Sequence, residues 1–120
     1  MRPILLLVSS LFLAGCGDGG DGAVLEQLRN AGADLSKARD VRYYLYVPTQ
    51  DAATQVANEL AAAGRTVDVS PAATGSDWLI LVNEQVVVDA TTLAARRSDF
   101  EAALDGVDGM YDGWEAAAEP

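Results

Sequence analysis

The sequence contains no histidine and a single cysteine in 120 residues. Without histidine it lacks the side chain that most often shuttles protons near neutral pH and most often binds metals. One cysteine permits no internal disulfide and no multi-thiolate zinc site. Basic side chains are also scarce, eight against 18 acidic ones, for a net charge of −10. That field opposes phosphate backbones and anionic lipid headgroups. Together these shortages exclude Ser-His-Asp chemistry and argue against nucleic acid as a partner. The length allows one small domain. What remains is a fold, an address and a set of motifs.

The address lies at the start. Arg2 and the amino terminus form a short positive region, followed by the apolar run Ile4 to Leu13. That run is well short of the roughly 20 residues that span a bilayer, and it fits the apolar core of a secretory signal. It ends in Leu13-Ala14-Gly15-Cys16. This resembles the lipobox of bacterial lipoproteins, in which the cysteine is diacylated and becomes the first mature residue. The resemblance implies a signal peptide over 1–15, lipidation at Cys16 and a domain held in the cell envelope outside the cytoplasm. Gly17, where an aspartate would favour retention at the inner membrane, points to the outer membrane. Two or more acyl chains give stable anchoring. Loss of Arg2 with the signal makes the mature chain one unit more negative.

Residues 16–22 comprise the cysteine and a Gly/Asp tether, with Gly17 to Gly22 reading GDGGDG. The spacing Gly17-x-Gly19-x-x-Gly22 imitates a dinucleotide fingerprint, but that motif needs a preceding strand, and here a cleaved signal precedes it. A domain is expected over 23–117, with a tail at 118–120. Val24, Leu25 and Leu28 predict a short helix over 23–31. Gly32 to Asp40 reads as a polar connection. Val41, Tyr43, Leu45 and Val47 alternate with Arg42, Tyr44 and Tyr46, predicting a strand over 41–47. Pro48 and Thr49 close it and open a helix carrying Val56 and Leu60, which Gly64 ends. Val67 and Val69 mark a short edge strand. Trp78 to Val82 is apolar on both faces, as in a central strand, and Asn83 to Gln85 interrupts it. Asp89 is the expected N-cap of a helix with Leu93, Phe100 and Leu104 on its apolar side. Arg96 with Asp99 and Arg97 with Glu101 pair at helical spacing. A weak last strand falls at 113–117.

The order is helix, then strand-helix-strand-strand-helix-strand. This predicts an α+β, ferredoxin-like sandwich: an antiparallel four-stranded sheet with two helices on one face, plus an N-terminal helix. The first and third strands should be central. The N-terminal helix is expected to give partial cover to the open sheet face or to pack at an edge. Tyr44 and Tyr46 fall on that open face. They imitate an RNA-stacking platform, which the acidity opposes, and they suit a protein-binding surface. Asp105, Asp108 and Asp112 suggest calcium, but an EF-hand places its first ligands at positions 1, 3 and 5, whereas here they stand at 1, 4 and 8, as in a solvated turn. No cofactor is expected.

Three segments carry a family resemblance: Gly32-Ala33-Asp34-Leu35-Ser36-Lys37-Ala38-Arg39, then Tyr43-Tyr44-Leu45-Tyr46-Val47-Pro48-Thr49, then Tyr111-Asp112-Gly113-Trp114-Glu115. Together they resemble the RraB domain, regulator of ribonuclease E activity B. The resemblance implies a ferredoxin-like fold and a module that binds protein without catalysis. It gives Asp34, Leu35, Pro48, Tyr111, Asp112, Gly113 and Trp114 structural roles, and implies inhibition of ribonuclease E if the signal is not processed. A lipid anchor would separate the chain from that cytoplasmic enzyme. The partner expected is then another protein, contacted by a monomeric domain on the membrane. A calcium- or small-ligand-binding envelope domain is the remaining alternative.

Overall fold

The computed structural model describes residues 18–117, with side chains from Asp21 onward. The expected signal, with Leu13, Ala14, Gly15 and Cys16, and the tail at 118–120 lie outside the described residues.

Seven elements follow one another: α1 (Asp18–Asn30), β1 (Ala38–Val47), α2 (Gln50–Ala62), β2 (Thr66–Pro71), β3 (Trp78–Val87), α3 (Ala90–Leu104) and β4 (Met110–Ala116). The strands form one sheet in the order β2-β3-β1-β4, every neighbour antiparallel. This is the expected ferredoxin-like sandwich, with β1 and β3 central. Strict alternation explains the layering, because a strand sends successive side chains to opposite faces. Val41, Tyr43, Leu45 and Val47 are buried, as are Ile80 and Val82. Val82 stands opposite Tyr43, and Ile80 opposite Leu45, so all six share one face. Ala53, Val56 and Leu60 from α2, and Leu93, Phe100 and Leu104 from α3, complete the core. Phe100 sits between two tyrosine rings, 4.9 Å from Tyr43 and 5.5 Å from Tyr111, both tilted. Such pairs add about 0.5–1.5 kcal/mol beyond area burial.

The helix ends follow local chemistry. Thr49 caps α2, its hydroxyl accepting from the Ala52 amide at 3.1 Å, and Asp89 caps α3 through the Thr92 amide at 2.8 Å. Gly64 ends α2 at φ +91°, a left-handed conformation that costs glycine little. The Arg65 amide then reaches back to the Leu60 carbonyl at 3.0 Å.

Several expectations need correction. Helix α1 starts at Asp18, so most of the Gly/Asp stretch expected as a tether is helical. Strand β1 starts at Ala38, taking in the end of the expected polar connection, because Ala38 to Asp40 pair with Gln85 to Val87. That same pairing carries β3 straight through Asn83 to Gln85. Finally, α1 does not cover the open face. Val24 and Leu28 are fully buried in the common core, and the Asp21 carboxylate bonds Trp114 and Arg97, which places α1 in the helical layer beside α3.

Strand β4 starts at Met110, three residues before the expected Gly113, and contains a bulge. Tyr44 pairs with Gly113 but Leu45 pairs with Tyr111, leaving Asp112 as an extra residue. The bulge has a clear effect on side-chain direction. Tyr111 and Trp114 are three apart and would face opposite ways on a regular strand. The extra residue lets both point into the core, Tyr111 against Phe100 and Trp114 fully buried. Gly113 takes φ +118° at this point. Gly109, just before β4, permits a close approach: a Cβ there would lie 2.5 Å from Leu104 Cδ2 and 3.0 Å from Val47 Cγ1.

Candidate functional site

The face opposite the helices is the first candidate. Across the sheet it presents Asp68, Leu81, Tyr44 and Gly113 in one row, and Ser70, Leu79, Tyr46 and Met110 in the next. Leu79, Leu81, Tyr44 and Tyr46 are half-buried. No helix among the described residues lies over them. Tyr44 donates to Glu115 Oε2 at 2.9 Å, and Arg42 Nη1 donates to the same oxygen at 3.2 Å. Glu115 is only 4% exposed, so this network fixes one end of the face. Burial and the Glu115 carboxylate push the Tyr44 hydroxyl up to about 12. The Tyr46 hydroxyl is also raised, first by burial and then by the charge of Asp112 nearby. Neither phenol ionises at physiological pH. They offer rigid amphipathic rings, the kind of surface that anchors protein contacts.

The opposite end of the face contains a hollow of about 290 Å³ between Tyr46, Met110 and the β2–β3 turn. A larger one of about 460 Å³ lies on the other side of Met110, against Leu104, Asp105 and Asp108. The two divide the aspartates that suggested calcium. Asp112, in the bulge, lines the first hollow, while Asp105 and Asp108 line the second. Among the described residues no group of three carboxylate, histidine or cysteine side chains is placed to hold a metal ion.

On the helix side, Glu84 is a hub that sequence reasoning missed. Its carboxylate accepts from the Tyr43 hydroxyl at 3.0 Å, from Arg96 Nε at 3.0 Å to each oxygen, and from Arg65 Nη1 at 3.1 Å. Arg65 also reaches Asp99 at 3.1 Å. The expected Arg96–Asp99 pair is therefore redistributed, Arg96 to β3 and Asp99 to the segment before β2. Arg97 likewise reaches across to Asp21 at 3.1 Å. Charge-assisted bonds of this kind clamp elements together, and here they join β1, β3, α3 and Arg65. The Glu84 side chain is mostly buried, and its donors come from the fold itself.

The motif residues occupy structural positions. Asp34 Oδ1 accepts from the Ser36 amide at 3.1 Å and its hydroxyl at 2.6 Å, a local turn that lowers the Asp34 pKa. Leu35 packs against the core. Pro48 is exposed between the end of β1 and the Thr49 cap. Arg39, only 3% exposed, donates to the Asp34 carbonyl at 2.7 Å and the Ala117 carbonyl at 2.6 Å, tying the lead segment to the chain's last described residue. Trp114 Nε1 donates to Asp21 Oδ1 at 2.9 Å. Asp21 was not visible as a functional position because it sits among glycines. Arg39 and Glu115 stood within the motifs without a role, and burial supplies one.

Among the described residues no helix is long and apolar enough to cross a membrane. No curated protein matches the chain. A family model described as Regulator of ribonuclease activity B matches residues 20–116. Its start falls inside α1 and its end at the last residue of β4, so it spans the whole folded unit, the Asp21 latch included. The three motifs, the sheet order and this match agree: the chain belongs to the RraB family, whose description is of regulators and not of enzymes.

Proposed function

We propose that this chain is a non-enzymatic, protein-binding regulatory module held in the cell envelope by a lipid on Cys16. The observation that carries the binding reading is the open sheet face. It sets two tyrosines and two leucines in the half-buried centre of a rigid sheet, within a strongly acidic molecule. Family membership supports regulation by contact, because a regulator needs a partner surface and not a reaction centre. The Leu13-Ala14-Gly15-Cys16 sequence behind a short apolar run supports the anchor, and Gly17 favours the outer membrane over the inner. The domain would work as a monomer presenting that face to a protein partner.

The test is crosslinking and capture of the full, membrane-borne chain from cells. One specific protein partner should be recovered, and a Tyr44→Ala/Tyr46→Ala variant should lose it. Recovery of nothing above a mock-tagged control would overturn the binding reading. A second reading is favoured by the family match itself: inhibition of ribonuclease E by unprocessed chain in the cytoplasm. Fractionation separates the two. Unprocessed protein in the cytoplasm that slows ribonuclease E on a substrate RNA would establish the second and remove the first.

A further inference from the structure

The hollow at the end of the open face has walls of two kinds. Tyr46, Met110, Ala72 and Ala73 give it apolar sides, and Asp77 and Asp112 bring carboxylates. No described residue lining it is cationic. Tyr46 and Met110 are cross-strand neighbours, so one wall is set by sheet register and not by a loop. The other wall is the β2–β3 turn, closed by the Ala72 amide bonding the Asp77 carbonyl at 2.9 Å. Asp112 is in the bulge, part-buried, and its carboxyl is raised by that burial. A cation beside it would offset the desolvation of its charged form. From this hollow the half-buried strip Leu79, Tyr44 and Leu81 runs on across the sheet.

An arginine side chain matches each part. Its aliphatic stem lies on apolar walls while its head stays polar. The planar guanidinium stacks on an aromatic face and pairs with carboxylates in a fixed fork. We propose that this hollow receives a single arginine of an extended partner segment, whose flanking apolar residues lie on the Leu79–Tyr44–Leu81 strip. The inference rests on the protein-binding reading above and names the chemistry of the partner. Charge complementarity selects it, since a chain of net −10 opposes an acidic segment and favours a basic one.

The probe is the peptide acetyl-Leu-Arg-Leu-Arg-Leu-amide, titrated into the full chain in detergent and followed by amide NMR. The neutral control is the same peptide with citrulline for arginine. Saturable shifts should centre on Tyr46, Asp77, Met110 and Asp112, with a dissociation constant on the order of 1 mM. The citrulline peptide and the Asp77→Asn/Asp112→Asn variant should each bind about tenfold more weakly. Asp51→Asn, on the exposed first turn of α2, should bind as the unchanged protein does. If Asp112→Asn fails to fold, Asp77→Asn alone should still weaken binding several-fold. Equal binding of both peptides, or equal loss in Asp51→Asn, would overturn the proposal. So would movement of the same amides by Arg2→Ala in unprocessed chain without peptide, which would make that chain's own N-terminal segment the occupant. Captured partner retained by Asp77→Asn/Asp112→Asn but lost by the tyrosine variant would refute the arginine site and leave the binding module standing.

Discussion

Asp21 shows how one side chain can decide where a domain begins. Its two oxygens hold a fully buried indole and the Arg97 guanidinium. Replacing it with alanine strands the Trp114 N–H in the core, and an unpaired buried donor costs about 1–3 kcal/mol. Asp21→Ala should therefore lower the unfolding free energy measured in urea by that amount, whereas Trp114→Phe with Asp21→Ala together should cost less than the sum of the two single changes. Additive losses would show that the pair does not couple. Asp89 makes a pH prediction. Hydrogen bonds from Thr92 lower its pKa below the usual carboxylate value. A depressed acid stabilises the fold above its unfolded pKa, and that contribution is lost as pH falls through the lower folded value. Asp89→Ala should cost about 1 kcal/mol at neutral pH, and less and less below about pH 4. Asp112 has the opposite sign. Burial raises it, so its charge weakens the fold at neutral pH and protonation relieves this as pH falls. Asp112→Asn should leave thermal stability at pH 7 unchanged or slightly higher.

At the scale of elements, what the sequence disclosed depended on whether a segment's partners were near in the chain. Strand β1 was legible because its alternation is local, and the caps Thr49 and Asp89 were legible because they bond backbone three residues on. Strand β3 was broken in the reading at Asn83 to Gln85, since polar residues mark turns. Its continuity comes from Glu84, whose cationic partners are 19 and 12 residues away. The start of α1 was hidden for the same reason: glycines argue against helix, and the stabilising contact lies 93 residues on. The open face was placed correctly by period two alone, but its hollow was not, because it needs the bulge that puts Asp112 beside Tyr46. That bulge yields a prediction. Deleting Asp112 restores a regular strand in which Tyr111 and Trp114 stand two apart and still share the core face. Near-ultraviolet circular dichroism of the deletion should therefore keep its tryptophan signal, and loss of that signal would show that the bulge itself is needed to bury Trp114.

For the whole molecule, the sheet order and the packing of all three helices on one side leave a broad, rigid surface for contact. The anchor proposal belongs to this scale. Metabolic labelling with palmitate should mark the chain, and Cys16→Ala should abolish the mark and release the protein from the membrane fraction. Persistence of the label would exclude Cys16 as its site. Regulation by surface contact also predicts that captured complexes weaken as salt rises, since much of the attraction would act between exposed charges.

The helical state of Asp18 has a consequence for how an anchored domain would search for its partner. Two peptide steps separate Cys16 from Asp18, a reach of about 7 Å at full extension. Physiological salt screens charge over about 8 Å, so a domain lipidated at Cys16 stands inside the electrostatic shadow of the bilayer. It has no leash on which to sweep the space beyond. Anionic headgroups would repel its acidic body and tilt it outward about a nearly fixed pivot. Such a molecule diffuses in two dimensions and suits a partner confined to the same surface more than one adrift in the volume around it.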